Sequence, residues 1–590
     1  MYTELEKGLS FLDRKIFRRI VIAGFLNYFV ISITGIIDCA VIGRFMGSAE
    51  LSAYNLADPV FSFFALLSSI FGTGLSVVVS KDLSIGAKDR ADKTVKTVIT
   101  LIVAISAISA LIGIFIPKSI NRLLGGADFD PDVFKAATDY IQPLLLSALP
   151  MIMYDFLCTF SVLEGADKYM QISSVVMFVT NVISDVIIVL TGSGMLWLSI
   201  SNGICYTLGT LIICLFYFRG KSMFRLQLCR PDMKLLIRVL KSGIPMIVKG
   251  LCGILWPLSV NRLMLRYGSV QGLAALSIQN AIHYLPVAFC QGISNATLIL
   301  TGIYSGEQDR EGLRKVNRYI LRWSLIGVTA VALFMILISN PLIVLFTDDP
   351  EVQSLSASAL RLYLIGTPFL SLNICAAAYF QGIGRNVASS LVIFVNHIFL
   401  SISSAILLAW QFGTRGIFAS YGVCEIVMTG LLLLLILFIG FIRRRSREYT
   451  ERKVYPEIRS GISSIEEAVS MSEKVFTFCR ENGIDVKTAN HIALCTEELA
   501  ANSIEHGFND GKEHNLEFRS VIIDDILYLR LRDDCRRFDL VERYNIIRPQ
   551  DPTKNIGLRI IFGIADDVSY SSALNMNNVC VKYSIKLPQD

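Results

Sequence analysis

Ile85-Gly86-Ala87-Lys88-Asp89-Arg90 returns, about 220 residues further on, as Ser305-Gly306-Glu307-Gln308-Asp309-Arg310. Two more pairs occur in the same order at a similar separation. Gly47 to Ala53 (GSAELSA) echoes Gly268 to Ala275 (GSVQGLAA), and Leu163 to Lys168 (LEGADK) echoes Phe380 to Arg385 (FQGIGR). These segments are polar and lie between long apolar runs, where chance likeness between greasy helices explains little. The first 445 residues therefore read as a duplicated unit, one copy over about 10–220 and the other over about 235–445.

The apolar runs say what each copy is made of. The chain of 590 residues is 53% hydrophobic and only 18% charged, against roughly 25% charged for soluble proteins. A bilayer core takes about 20 apolar residues per helix. Runs of that size lie near 17–42, 52–80, 96–117, 133–160, 170–191, 196–218, 240–265, 273–303, 318–346, 356–380, 387–410 and 415–442. About twelve spans, six per copy, give two lobes of one orientation around a shared cavity. An even number of spans leaves both termini on one side. The basic flanks Arg18-Arg19 and Arg443-Arg444-Arg445 put that side in the cytoplasm of a multi-pass cell-membrane protein. The first run lacks a small-residue cleavage site and reads as membrane, not as a signal peptide.

Several function classes fall away. The net charge of +6 is spread over short loops, which excludes nucleic acid as a partner. The 13 cysteines are scattered through apolar runs with no CxxC or Cys/His spacing, so they read as buried small residues. Arg219-Gly220-Lys221-Ser222 hints at a phosphate loop, but the earlier glycine is missing, since Leu215 stands there inside a span.

An acid near the bilayer centre costs about 2.5–3.5 kcal/mol, so it lines a cavity or has a partner. The candidates are Asp38, Asp58, Asp155, Asp185 and Glu425, all but the last in the first copy. Asn181 and Asp185 share a face of the fifth span, Asp38 sits near the outer end of the first, and Asn202 opens the sixth. Two carboxylates and two amide oxygens suit Na⁺, and two close carboxylates also suit a shared H⁺. Asp58 and Glu425 are read as structural, and His397 as a packed or cavity-lining histidine.

Asp38 to Pro59 (DCAVIGRFMGSAELSAYNLADP), with the GAKDR/GEQDR and EGADK/QGIGRN loops, resembles the multidrug and toxic compound extrusion (MATE) family over roughly residues 10–445. That resemblance implies twelve helices in two lobes, alternating access, and export of amphipathic or cationic small molecules driven by a Na⁺ or H⁺ gradient. Matched by motif, it implies a cation site at Asp38, Asp155, Asn181, Asp185 and Asn202. Asp155 and Asn202 depart from the pattern, standing where an amide and a hydroxyl are usual.

From Arg444 onward the composition is that of a soluble domain. Residues 446–460 read as a linker and 461–590 as a domain. Amphipathic helices are expected over 463–483, 486–507 and 556–566, and strands over 515–523, 525–532, 568–572 and 578–586, giving an α+β sandwich. Glu498, Asn502 and His506 step by four along one helical face. A carboxylate there can activate water, and an amide oxygen can ligate Mg²⁺. The run Glu497 to Gly507 (EELAANSIEHG), followed by Arg532 to Asp539 (RDDCRRFD) and Asn555 to Ile561 (NIGLRII), resembles the GHKL (Bergerat) ATPase superfamily, and especially the anti-sigma-factor serine kinases. The resemblance implies Glu498 as general base, Asn502 as Mg²⁺ ligand, Asp533 as partner of the adenine amine, and Gly557 and Leu558 near the phosphates of ATP. Cys535, Arg537, Lys554 and Asn555 replace glycines of that pattern, and glycine is what lets backbone approach a phosphate closely.

The expected function is a gradient-driven efflux antiporter whose cytoplasmic domain binds nucleotide and engages a regulatory protein. A membrane receptor signalling through a serine-kinase-like domain, and a flippase for lipids or lipid-linked sugars, are the alternatives.

Overall fold

The structure is a computed structural model and describes residues 11–46, 48–124, 131–220, 222–267, 270–344, 346, 349–445, 455–509, 513–547, 556–574 and 576–585. Gly47, Lys221, Gly268, Ser269, Lys554 and Asn555 lie outside them. The chain divides into two compact units, one mainly Lys15–Ser84 with Asp89–Ile439 and the other mainly Gly440–Asp590.

The larger unit is all helix. Its first half runs α1 (Phe11–Val41), α2 (Ser48–Ser84), α3 (Lys88–Phe115), α4 (Pro117–Leu123), α5 (Pro131–Leu146), α6 (Ala148–Phe160), α7 (Asp167–Thr191) and α8 (Met195–Phe218). Its second half runs α9 (Met233–Tyr267), α10 (Val270–Gly306), α11 (Arg310–Leu337), α12 (Ser339–Val344), α13 (Pro350–Gly382), α14 (Asn386–Phe394), a π-helical stretch (Val395–Leu400) and α15 (Ser401–Arg445). In hydrocarbon every backbone N–H and C=O must be satisfied within the segment, which is why such apolar sequence takes no other form. Side chains such as Ile108, Leu111, Ile114, Leu433, Leu434 and Leu437 are exposed on these helices. A soluble protein would not leave contiguous apolar surface of that extent open.

Among the described residues nine helices can each cross a membrane, and the bent pair α5–α6 makes a tenth. One of the nine, Asn386–Phe438, is 53 residues long and breaks at Gly413, whose backbone is non-helical (φ 57°, ψ −134°), so it holds two crossings. α9, which carries Arg238, Lys241 and Lys249 in its apolar stretch, completes the expected dozen. One expectation needs correcting. The run over 133–160 is not a continuous helix but turns by 59° between α5 and α6, with Pro143 and Pro150 on either side of the bend. Proline removes the N–H and clashes with the preceding turn.

The repeat loops hold the helix ends. Asp82, at the end of α2, takes Arg90 of α3 at 2.6 Å and Arg238 of α9 at 3.0 Å. Asp309 of the echoed loop caps α11, accepting from Gly312 N at 2.8 Å. Arg19 of α1 pairs with Asp167 at the start of α7.

The two halves meet through backbone. A side chain on Gly74 of α2 would lie 2.5 Å from Val239 O and 3.2 Å from Gly243 N of α9. A side chain on Gly292 of α10 would lie 2.5 Å from Val21 O and 3.0 Å from Phe25 N of α1. Gly74 and Gly292 stand at the separation of the repeat, as do Val21 and Val239, so this is one contact made twice across the pseudo-symmetry.

The smaller unit is a two-layer α+β domain. Its elements are β1 (Glu457–Ile462), α16 (Ile465–Glu481), α17 (Val486–Gly507), β2 (Leu516–Ile523), β3 (Ile526–Asp533), α18 (Leu540–Ile547), α19 (Ile556–Ile564), β4 (Asp567–Ala573) and β5 (Met576–Ser584). The sheet is antiparallel in the order β1-β2-β3-β5-β4. Val475, Cys479, Ile492 and Leu499 of the helices pack on Phe518, Leu529 and Val581 of the strands. Ser464 and Asp485 cap α16 and α17 through Glu467 N and Thr488 N. Two elements were not foreseen. β1 occupies the end of the segment read as linker, and α18 was hidden in the polar stretch after Asp539.

Overpacking a helix crossing costs about 1–3 kcal/mol. Gly74→Ala and Gly292→Ala should each lower the melting temperature of the purified protein and reduce transport. Gly430→Ala, where an added side chain meets nothing within 4 Å, should do neither. Equal melting curves for all three would refute the crossing as the lobe contact.

Candidate functional site

Four of the expected cation residues converge. α7 carries Asn181 and Asp185 one turn apart, both 1% exposed, and α8 brings Asn202 beside them, so that Asn181 Nδ2 donates to Asn202 Oδ1 at 3.1 Å. Asn202 Nδ2 donates in turn to the hydroxyl of Tyr140 on α5 at 3.3 Å. Asp38 of α1, 4% exposed, faces Asn181, Asp185 and Asn202. Asp38 Oδ1, both carboxyl oxygens of Asp185, and Asn181 Oδ1 are buried acceptors with no hydrogen-bond donor. A buried unpaired carboxylate is among the most costly groups a protein can hold. Two of them facing each other with amide oxygens alongside have the chemistry of a cation site.

Asp155 is not brought into that cluster. It sits on α6 among Tyr28, Tyr154 and Cys158, and Tyr206 of α8 stands beside both it and Asp38. Asp58 of α2 is exposed, next to Ser62 at 3.4 Å.

The second half has its own acid, with the opposite environment. Glu425 of α15 is buried, and its carboxylate accepts from Asn373 Nδ2 of α13 at 2.7 Å and from Asn396 Nδ2 at 3.0 Å on each oxygen. Thr429 holds the other face of Asn373 at 3.0 Å. Sequence reading took Glu425 alone and missed Asn373. The signal was available: Asn373 follows Pro368 by the same five residues by which Asp155 follows Pro150.

In the soluble unit, α17 presents Glu498 and Asn502 on one face, and Asn502 Nδ2 donates to Glu498 O at 2.7 Å. Any side chain at Gly557 would collide with the Glu498 carboxylate, so Glu498 lies against the first turn of α19. A helix N-terminus favours a carboxylate or a phosphate there. The Leu558 side chain turns inward to the core, 8% exposed, so only its backbone, in the first turn of α19, could meet a ligand. Asp533, at the end of β3, is buried. Its Oδ1 accepts from Asn577 at 2.7 Å and from Cys535 N at 3.1 Å, and its Oδ2 accepts from Ser503 at 3.2 Å. Burial pushes the Asp533 carboxyl above the usual range, against the pull of those donors. Cys535 fills the glycine position of the motif with its Sγ against Gly507. His506 is exposed.

The donor set fits a Mg²⁺-bound nucleotide. Asn577, Ser503 and both the backbone and the side chain of Cys535 already donate to Asp533, so an exocyclic amine would have to share or displace one of them. Glu498, Asn502 and the start of α19 would face the phosphates of such a nucleotide.

Comparison with known proteins agrees with this division. The MatE family model matches residues 24–187 and 245–407, one match in each half, and a histidine kinase-like ATPase domain matches 463–583. The multidrug export protein MepA of Staphylococcus saprophyticus is 20% identical over 401 residues, 67% of this chain and 87% of that protein. MepA of Staphylococcus aureus (strain MSSA476) is 22% identical over 371 residues, 61% of this chain and 80% of that protein. Among solved structures, a multidrug resistance MATE family transporter of the MOP superfamily in an outward-facing conformation superposes with a TM-score of 0.67 at 20% identity, over 73% of this chain and 97% of that one. A MOP superfamily transporter from Pyrococcus furiosus gives 0.64 at 20% identity, over 74% and 96%. With a two-part match over more than half its length, the chain belongs to the MatE family of membrane transporters and carries a histidine kinase-like ATPase domain at its C-terminal end.

Proposed function

We propose that this chain is a cation-coupled exporter of amphipathic or cationic small molecules whose C-terminal domain binds nucleotide and regulates transport. Its domains run 1–445 and 461–590, with both termini cytoplasmic. The observation that carries the coupling is the contrast between the lobes. Glu425 is met by amide donors and needs no ion. Asp38 and Asp185 face each other beside the Asn181 and Asn202 amides, and Asp38 Oδ1 and both oxygens of Asp185 are left without a donor. A proton shared between the two acids, or a Na⁺ among the oxygens, removes the penalty of that arrangement. Binding of the ion thus changes the free energy of the N-terminal lobe, which is what a gradient needs in order to drive a conformational cycle. Asp155 acts from the neighbouring tyrosine layer and tunes the site without holding the ion.

In the soluble domain Asn502 would hold Mg²⁺, Asp533 would accept from the adenine amine, and Gly557 would let the phosphates approach α19. Bound ATP supplies the phosphoryl group. Glu498 is placed to take a proton from an attacking hydroxyl. With Cys535 and Arg537 in place of glycine, the reading is of a nucleotide sensor that acts on transport and on a regulatory protein, not of the motor.

In proteoliposomes, Asp38→Asn and Asp185→Asn should each abolish dye efflux driven by an imposed ion gradient, and Asp155→Asn should reduce it less. Separate Na⁺ and H⁺ gradients identify the ion. Efflux that survives Asp38→Asn would overturn the coupling site. A fluorescent ATP analogue should bind the purified protein in the presence of Mg²⁺ and lose affinity about tenfold in Asn502→Ala. Absence of binding to the unmodified protein would remove the nucleotide reading.

Asp533 also makes the domain pH-sensitive. Its folded pKa is raised, so the folded state holds the proton more tightly than the unfolded one. Its stabilising contribution is therefore present below the unfolded carboxylate value and is lost as pH rises through the folded value. Asp533→Asn keeps the acceptor toward Asn577 and removes the charge. Hydrogen exchange in β3 and β5 should be slower in this variant at pH 7, with the difference closing as pH falls into the carboxylate range. A difference that grows on acidification would show that the sign is wrong.

A further inference from the structure

Lys249 lies near the middle of α9, amid apolar sequence, and its side chain is exposed. The exposed apolar residues of this part of the helix, Ile244, Ile247, Leu251 and Leu255, form one stripe. At 100° per residue Lys249 stands roughly 150° from that stripe, on the opposite face. Its neighbours on the helix are engaged on either side. Gly243 and Gly250 pack against Ile70 and Leu66 of α2, and Cys252 packs with Val392 and Ile393 of α14. A lysine that is exposed on the inward face of a membrane helix opens into a cavity between the lobes.

An imidazole is brought to the same place. The π-helical stretch Val395–Leu400 puts Asn396 on Glu425 and leaves its neighbour His397 on the side of α9, within electrostatic reach of the Lys249 ammonium. A π-bulge re-aims successive side chains, and such bulges concentrate at functional sites. Among the described residues no carboxylate forms an ion pair with Lys249. Isolated cations in membrane helices line cavities or substrate paths, and a fixed charge between low-dielectric walls concentrates ligands of the opposite sign.

We propose that Lys249 and His397 form an anion-binding subsite on the C-terminal-lobe wall of the transport cavity, so that the substrates include amphipathic molecules carrying a carboxylate or phosphoryl group. This rests on the export reading above and narrows its substrate class. The acids and the bases then divide the work. Asp38 and Asp185 take the coupling ion in one lobe, and Lys249 with His397 takes the anionic head of the cargo in the other, while the cargo's apolar body lies along the cavity wall. Lys249 supplies the charge, and the His397 ring supplies a directional N–H donor.

The test uses the full-length protein in lipid nanodiscs with two aromatic probes of similar size and opposite charge, fluorescein and ethidium, followed by fluorescence polarisation. Fluorescein should bind the unmodified protein. Lys249→Gln should weaken it about tenfold and leave ethidium within about twofold, Lys249→Glu should reverse the preference, and Lys249→Arg should retain fluorescein binding. His397→Gln, which keeps a donor without the ring, should cost less than Lys249→Gln. Unchanged fluorescein affinity in Lys249→Gln overturns the subsite, as does an unmodified protein that binds ethidium alone or neither probe. Lys249→Arg melting at the wild-type temperature separates loss of the subsite from loss of the fold. Gradient-driven ethidium efflux in proteoliposomes reports on the export reading separately, since it fails if coupling is wrong even when fluorescein still binds.

Discussion

The membrane unit depends on two places where helices of opposite lobes touch backbone to backbone. Gly74 of α2 lies on the carbonyl of Val239, and Gly292 of α10 lies on the carbonyl of Val21. Lipid tails are as apolar as leucine, so no hydrophobic force drives one helix onto another in a membrane. Close approach through small residues supplies dispersion contact in its place. Because the two contacts are related by the repeat, they join the lobes symmetrically. What lies beyond them is free to differ between the lobes.

It does differ, and the difference is a matter of donors and acceptors. In the first lobe Asp38 Oδ1, both oxygens of Asp185 and Asn181 Oδ1 are left without donors, while the Asn181 and Asn202 amide nitrogens donate to Asn202 and Tyr140. In the second lobe Asn373 and Asn396 turn their amide nitrogens toward Glu425. Two copies of one ancestral bundle thus hold an electrostatically unfinished site and a finished one. The finished one is a joint between α13, the π-helical stretch and α15. The unfinished one is the proposed cation site.

The soluble domain follows a related logic on a smaller scale. Its nucleotide-type face survives at Glu498 and Asn502, held in register by the helix itself and by the close approach of Gly557. Asp533 has been drawn into a network with Asn577 and Ser503. The sulfur of Cys535 takes up space that a glycine would leave open.

Much was legible in the primary structure because it rests on local or periodic constraints. Bilayer thickness sets the apolar run length, so the spans could be placed, though α3 and α11 start about eight residues before the runs read at 96 and 318 because their first turns are polar. The loop echoes disclosed the duplication, and an i, i+4 spacing put Asn181 with Asp185 and Glu498 with Asn502 on shared faces. What could not be read is what those faces meet. Asp155 and Asp38 looked like members of one set, yet α6 turns Asp155 into the tyrosine layer after a proline bend whose angle no periodicity reports. Glu425 was read as structural with no partner named, and its partners came from two other helical segments, Asn373 of α13 and Asn396 of the π-helical stretch. Leu558 was expected at the phosphates, and its side chain packs into the core while its backbone stays in the first turn of α19. By itself the sequence determined the helices, the duplication and the second domain, and it named the acids within the membrane runs. Only the tertiary structure decided which of those acids are left without donors, because hydrogen bonds between helices depend on the crossing of distant segments and not on the order of residues within any one of them.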